Sequence, residues 1–245
     1  MKSHYRPKSR CETPESRLPW AFVADLEQSR KVRNRASLSK QLERELAYLQ
    51  GDKAPGRLAA RGQVPQPGAW LAPLESVRGI DELSGVCRSP GPALAAAFHL
   101  TLALWPHRFR FALARGTLDV GLETGEAGAI DGPAFHLAAD ALARAHEEKR
   151  PFTISVPEWE PASRAALEDA FGLHRAFTKE WTTRQMEVVQ AWYRHETQHE
   201  VASDLGISQS TVSETLDRAH AVALLALEMT LPAHLDWLDN LSPPI

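Results

Sequence analysis

A segment of sixteen residues, QHEVASDLGISQSTVS at positions 198–213, restricts the folds that the last part of the chain can adopt. Val201 lies on the inner face of a first helix, and Gly206 permits a tight turn with positive φ. Ser208 can cap a second helix, whose inner face carries Val212. Inner apolar positions on both sides of a glycine turn, at this spacing, predict a helix-turn-helix.

A further helix precedes this segment, with Val188, Val189 and Trp192 on its apolar face. Together, the three helices resemble the helix-turn-helix of sigma-factor region 4 and of response-regulator output domains. This resemblance implies sequence-specific DNA binding, in which the exposed side of the second helix of the motif faces the DNA. The DNA-contacting residues on that side are then Gln209, Ser210, Thr211, Ser213 and Arg218.

The net charge of −3 is distributed unevenly, which matters for a DNA-binding unit. Residues 1–17 carry five basic and two acidic side chains, and we predict a flexible basic tail there. Residues 18–178 carry 19 of each sign, whereas residues 179–245 carry four basic and ten acidic side chains. Because DNA phosphates attract cations, a second interpretation stays open, in which an acidic helical module mediates dimerisation or protein contacts.

The chain before this unit alternates apolar strands and helices in the order β-α-β-β-α-β. This order is typical of a ferredoxin-like sheet with packed helices, so the predicted fold class is α+β followed by an all-α helix-turn-helix domain. We predict the α+β domain at 18–156, a linker helix within 157–180 and the helix-turn-helix domain at 181–245. Ser37 is the predicted N-cap of the first helix.

Three carboxylates lie where the predicted strands end or turn. Asp25 ends the first strand, and Asp81 and Glu82 occupy the hairpin between the next two. Because the first strand neighbours that hairpin in a ferredoxin-like sheet, these side chains can meet at one edge and hold Mg²⁺. The alternative is structural, with Asp25 capping a helix and Asp81 forming a turn.

Four segments of the α+β part resemble the SatD family, some members of which carry a C-terminal helix-turn-helix. Residues 25–30, DLEQSR, are similar to its GDxxxSR signature, and residues 79–85, GIDELSG, are similar to its GDEFQG hairpin. Residues 110–116, RFALARG, resemble its RFGIGVGE strand. Residues 131–138, DGPAFHLA, resemble its DGPAFHRA element, which is the most specific of the four.

The SatD family in turn resembles class III nucleotidyl cyclases and diguanylate cyclases, in which acids bind metal ions that hold a triphosphate. The resemblance implies that Asp25, Asp81 and Glu82 bind Mg²⁺. The residues that it places near a nucleotide-like ligand are Ser29, Arg30, Asp131, Gly132 and His136.

Several departures from the family favour ligand sensing over turnover. Ala24, Ala112 and Ala114 stand where the family has glycine, and Ile80 is inserted beside Asp81. Side chains at these points hinder a close approach of a nucleotide to the backbone. We therefore expect a homodimeric regulator that senses a nucleotide-like ligand and contacts DNA. The alternatives are a Mg²⁺-dependent nucleotide-converting enzyme and a non-catalytic interaction scaffold.

The remaining sequence features indicate a cytoplasmic location. No segment has the pattern of a signal peptide, and Cys11 and Cys87 are too few for a disulfide scaffold. The longest apolar stretch, at 93–105, is shorter than the roughly 20 residues of a membrane span. We expect no membrane partner.

Overall fold

The computed structural model describes residues 18–51 and 68–241. Its strands are β1 (Trp20–Leu26), β2 (Trp70–Ser76), β3 (Glu82–Cys87), β4 (Phe109–Arg115) and β5 (Phe152–Ser155). The α-helices in these ranges are α1 (Arg35–Leu49), α2 (Pro90–Ala103), α3 (Pro133–Glu147), α4 (Pro161–Thr178), α5 (Thr183–Arg194), α6 (Gln198–Leu205), α7 (Gln209–Arg218) and α8 (Ala221–Leu241). The fold is α+β with a helical C-terminal region, as the sequence predicts.

The strands form one sheet in the order β2-β3-β1-β4-β5. The central strand β1 pairs antiparallel with β3 and with β4, and β5 extends the sheet parallel to β4. Asp25 of β1 lies opposite Glu82 on one side and Arg110 on the other. Because directly paired residues project from the same face, these three side chains share one face at the end of β1.

Alternate residues of β1 divide the core into two layers. Trp20 and Phe22 are fully buried in the large layer, which α1, α2 and α4 cover. Ala21 and Val23 face the opposite way, toward the alanine-rich side of α3. Small side chains on the strand and on the helix allow α3 to lie close to the sheet.

The C-terminal helices join the large layer of the core. The longest of them, α8, packs along α2, and the Asp239 carboxylate accepts a hydrogen bond from Arg115 of β4 at 3.1 Å. In α5, Gln190 donates to the carbonyl oxygen of Leu102 at 2.9 Å. One cluster of buried apolar side chains therefore runs from β1 to Leu235 of α8.

By length and composition alone, α8 could span a membrane, with a mean hydropathy of 1.3 over its most apolar window. It does not stand out in the sequence as a continuous apolar stretch, because Glu228, Asp236 and Asp239 interrupt it. In the structure all three carboxylates are directed into the protein, and α8 packs against α2. These contacts are typical of a helix that belongs to the core of a folded domain.

Two details of the predicted helices differ from the structure. Helix α1 begins at Arg35 because the Asn34 side chain accepts a hydrogen bond from the backbone N–H of Ser37, so the prediction of Ser37 as the N-cap is wrong. Helix α4 runs from Pro161 to Thr178, whereas the sequence pattern predicts a helix only from about Ala162 to Ala170 within the 157–180 linker. The predicted basic tail, residues 1–17, lies outside the described residues.

Candidate nucleic-acid interface and the carboxylates of the sheet

Both helices before the turn begin with reciprocal caps, which fix where the motif starts. The Thr182 hydroxyl accepts a hydrogen bond from the backbone N–H of Gln185. In turn, Oε1 of the Gln185 side chain accepts one from the backbone N–H of Thr182. Thr197 and Glu200 form the same capping box at the start of α6. Hydrogen bonds from the backbone N–H groups of Thr197 and Glu196 hold the pKa of Glu200 below its ordinary value.

The turn between α6 and α7 depends on Gly206, which adopts the left-handed conformation with φ 62° and ψ 38°. The backbone N–H of Ile207 reaches back to the carbonyl of Ala202 at 3.0 Å and closes the end of α6. Val201 and Val212 are fully buried on the inner sides of the two helices. The predicted helix-turn-helix geometry is confirmed.

Helix α7 presents an uncharged, hydroxyl-rich N-terminus to solvent. The Ser208 side chain accepts from the N–H of Thr211 at 3.1 Å and lies 2.8 Å from the hydroxyls of Ser210 and Thr211. Among the DNA-contacting residues that the sequence predicts, Ser213 is half-buried, and Gln209, Ser210, Thr211 and Arg218 are exposed. Hydroxyl and amide groups of this kind can contact phosphates and base edges.

The motif itself has few cations to offer DNA. From Glu180 to Ala221 the chain has three arginines and seven acidic residues. Each arginine lies near an acid of the same motif: Arg184 near Glu187 at 2.9 Å, Arg194 near Asp204 at 4.0 Å, and Arg218 near Glu214 at 3.3 Å. Phosphate contacts made by the motif therefore compete with its own carboxylates.

At the end of β1, Asp25 binds a helix on the second face of the sheet. Its Oδ2 lies 2.9 Å from Nε2 of His146, at the end of α3, and Nδ1 of that ring lies 3.4 Å from Arg110. The side chain is about one-third exposed. The hypothesis of a capping role finds no support, because the partner of Asp25 is a side chain.

Asp81 and Glu82 have different partners from Asp25. Asp81 accepts two hydrogen bonds of 2.9 Å from Arg35, at the start of α1, and Glu82 lies 3.4 Å from Arg78. In the parts of the chain that the structure describes, no three His, Cys, Asp or Glu side chains are grouped as metal ligands. Arginines bind the carboxylates of Asp81 and Glu82, so in this arrangement the two side chains and Asp25 do not form a set of oxygen ligands that fits Mg²⁺. The magnesium site stays a prediction.

The predicted ligand residues of the 131–138 segment lie together, but far from Asp25. Asp131 Oδ1 accepts from the N–H of Gly132 at 2.7 Å and lies 3.3 Å from Nε2 of His136. Gly132 has φ 149°, and a side chain there would meet the backbone of residues 117–119. These residues begin α3, whereas His146 lies near its other end, about 20 Å away at 1.5 Å per residue. The structure therefore does not gather the predicted ligand residues into one site.

A larger group of cations lies beside β1, and Arg30 is the only one of them predicted above to bind a ligand. Arg30, Lys31, Arg33 and Arg108 form what we call the basic loop; all four are exposed, and none has an ion-pair partner among the described residues. A backbone hydrogen bond of 2.7 Å, from the N–H of Glu27 to the carbonyl of Arg108, brings Arg108 beside the segment that leads to Arg30. The signal in the sequence was the run RKVRNR at 30–35.

Helix α4 links the basic loop to the helix-turn-helix. Arg175, in its last turn, donates to the carbonyl of Phe109 at 3.2 Å and to Glu27 at 3.1 Å. Burial lowers the pKa of Arg175 to about 10, and the charge of Glu27 opposes this shift. Helix α5, the first helix of the motif, begins at Thr183, eight residues after Arg175. The basic loop therefore lies near the point at which the chain enters the motif.

Residues 180–221, from within the α4–α5 connection to the first residue of α8, match the family described as Sigma-70, region 4. A search of curated proteins finds no match to the chain. The resemblance of the α+β part to the SatD family stays a prediction. The C-terminal region therefore contains a sigma-region-4-like helix-turn-helix, in agreement with the sequence and the geometry.

Proposed function

We propose that this protein is a DNA-binding, transcription-related regulator of the cytoplasm. One observation carries the proposal: residues 180–221 match sigma-70 region 4 and fold as a capped helix-turn-helix. The N-terminal half of α7 is exposed, as a helix that enters a major groove must be. Direct contacts then come from Gln209, Ser210 and Thr211, with Ser213 and Arg218 beside them.

Because the helix-turn-helix has more acidic than basic residues, we assign phosphate binding mainly to residues outside it. Glu214 and Asp217 lie on the exposed side of α7 and repel the DNA backbone, although acids can also accept from cytosine. The basic loop supplies unpaired cations near the motif, and residues 1–17 add a net charge of +3 from five basic and two acidic residues. DNA binding in this proposal needs the whole chain.

We expect the double variant Glu214→Lys/Asp217→Lys to bind duplex DNA several-fold more tightly than the unmodified protein at low salt. The substitutions remove two repulsive carboxylates and free Arg218 from its pair with Glu214. Each added phosphate contact steepens the fall of log K with log salt by about 0.9. Fluorescence anisotropy with a labelled duplex, repeated over a salt series, measures both quantities.

The matched control is Asp140→Lys/Glu147→Lys, which makes the same charge change at two exposed positions of α3. A general effect of net charge would raise the affinity of both variants equally, which would contradict a role for α7. If the unmodified full-length chain shifts no duplex even at low salt, the protein-contact interpretation takes the place of DNA binding.

We further propose that the α+β part senses a nucleotide-like ligand. The strand order and directions support a ferredoxin-like, cyclase-like arrangement, and the four SatD-like segments fall on its strands, turns and helix starts. Ser29 and Arg30, in the segment after β1, form one group of ligand-binding candidates, and Asp131, Gly132 and His136, at the start of α3, form the other. No step of this proposal requires Mg²⁺.

A thermal-shift series of nucleotides, with and without Mg²⁺, tests the sensing proposal. A nucleotide at about 100 times its Kd should stabilise the fold by about 2.7 kcal/mol. Loss of the shift in an Arg30→Gln variant would place the ligand beside the segment after β1, and loss in a His136→Gln variant would place it at the start of α3. Turnover of a nucleoside triphosphate would instead support the enzyme alternative, and the absence of any shift would contradict sensing.

A further inference from the structure

The solvent side of α8 has no charged residue, which is unusual for a long surface helix. The exposed positions of this 21-residue helix include no Asp, Glu, Lys or Arg. They are Val222, Ala223, Ala226, Met229, Thr230, Ala233, His234, Trp237, Asn240 and Leu241. Five of them, at the spacing of one helix face, form what we call the α8 stripe: Val222, Ala226, Met229, Ala233 and Trp237.

The charged residues of α8 are instead turned inward and hold the helix in this orientation. Glu228 is bound by His174 at 2.7 Å and by the hydroxyl of Tyr193 at 2.6 Å. Asp236 accepts from the N–H of Gly91 at 2.7 Å, and Asp239 accepts from Arg115. Since these bonds fix the rotation of α8 about its axis, the apolar stripe is a stable feature of the surface.

Large side chains of the stripe are open to solvent. Val222 is 60% exposed, Met229 is 43% exposed and Trp237 is 53% exposed. A tryptophan exposed to this extent on an uncharged surface is typical of a protein contact, in which aromatic anchors contribute much of the binding energy. The stripe therefore needs an occupant that is itself apolar and uncharged.

We propose that the occupant is a second copy of this chain, with the two α8 helices packed antiparallel about a two-fold axis beside Met229. In that register Val222 lies opposite Trp237, Ala226 lies opposite Ala233, and Met229 lies opposite Thr230. Trp237 of one copy meets the smaller Val222 of the other, Met229 meets the smaller Thr230, and no like charges are brought together. The same patch serves both partners, as a two-fold interface requires.

A lipid surface is the other candidate for an apolar helix face, and the charges of α8 disfavour it. Helices that lie on membranes are rich in Lys and Arg on their polar side. No Lys or Arg lies between Ala221 and Leu241, and the polar groups of the inner side are already bound within the protein.

The consequence for DNA rests on the proposed function. Because α8 begins three residues after the end of α7, a two-fold axis through α8 places the two α7 helices in a fixed relation. Dimeric helix-turn-helix proteins read half-sites about 34 Å apart in this way. The dimer itself is tested without DNA, so its failure is separate from a failure of DNA binding.

Sedimentation velocity over a concentration series, on the full chain, tests the proposal. We expect a reversible dimer for the unmodified protein. Ala226→Glu, which places a charge within the stripe opposite Ala233 of the other copy, should raise the dimer Kd at least about tenfold. Ala139→Glu, the same change at an exposed position of α3, should leave it unchanged. Circular dichroism confirms that both variants fold.

A second measurement gives the geometry of the pair. In a Cys11→Ser background and with copper–phenanthroline as the oxidant, Met229→Cys lies beside the axis and should form an intermolecular disulfide, whereas Ala139→Cys should not. A monomer at every concentration, or a dimer that Ala226→Glu leaves intact, would overturn the proposal. So would co-sedimentation of the unmodified chain with phosphatidylcholine–phosphatidylglycerol vesicles that Ala226→Glu abolishes, since lipid would then be the occupant.

Discussion

Replacing Glu228 with alanine is expected to lower the free energy of unfolding by about 3–5 kcal/mol, the usual effect of breaking a buried ionisable pair. The Glu228 side chain is 2% exposed and binds His174 of α4 and Tyr193 of α5. The substitution leaves the fully buried imidazole of His174 without its 2.7 Å partner and opens a cavity between three helices. Urea denaturation followed by circular dichroism measures the change.

Glu228→Gln is the informative companion, because it keeps the volume and an amide oxygen that can accept from Tyr193. We expect it to retain part of the stability that the alanine variant loses. Glu214→Ala, on the exposed side of α7, provides a surface control, for which a change within about 0.5 kcal/mol is expected. An alanine variant at position 228 that is as stable as this control would contradict the role assigned to the buried group.

This group explains why the helix-turn-helix and the α+β part share a core. His174 is on the long helix that covers the sheet, Tyr193 is on the first helix of the motif, and Glu228 is on the helix after it. Phe98 of α2 and Phe171 of α4 pack their rings against His174. A change at the sheet that moved α4 would therefore also displace α5 and α8, the two helices that contact α7 on either side.

The sequence predicted those parts of the fold that local patterns determine. Gly206 could be assigned to a turn because only a left-handed residue fits between two capped helices. The strands of the sheet were recognisable as short apolar runs between turns. The helix cap at Asn34 was missed because Ser37 and Asn34 are both good capping residues, and only the backbone decides which one accepts.

Contacts between distant residues could not be predicted in this way. The partners of Asp25 and Glu228 are 121 and 54 positions away along the chain, and both are histidines with no local signal. The sequence also could not predict that the acidic side chains of α8 point into the protein. A helix that is apolar on all sides has little amphipathic pattern, so its sequence does not show which side faces the core.

We expect Arg30→Gln/Arg33→Gln to weaken binding of the full-length protein to duplex DNA at least about tenfold at low salt. Both side chains are exposed and belong to the basic loop, which has no ion-pair partners among the described residues. Since each arginine of the motif lies near an acid of the motif, we expect cations outside it to neutralise most of the phosphates. The slope of log K against log salt should become shallower by about 0.9 for each phosphate that the variant no longer neutralises.

The control for this experiment removes two arginines that lie away from the basic loop. Arg44 is on the exposed side of α1, and Arg88 follows β3 at the opposite end of that strand from Glu82. Arg44→Gln/Arg88→Gln changes the net charge equally, so a purely long-range effect would alter both variants alike. Equal salt slopes for the two variants would show that the basic loop makes no phosphate contact. A weakening confined to Arg30→Gln/Arg33→Gln would locate the DNA backbone beside β1, with α7 in the adjacent groove.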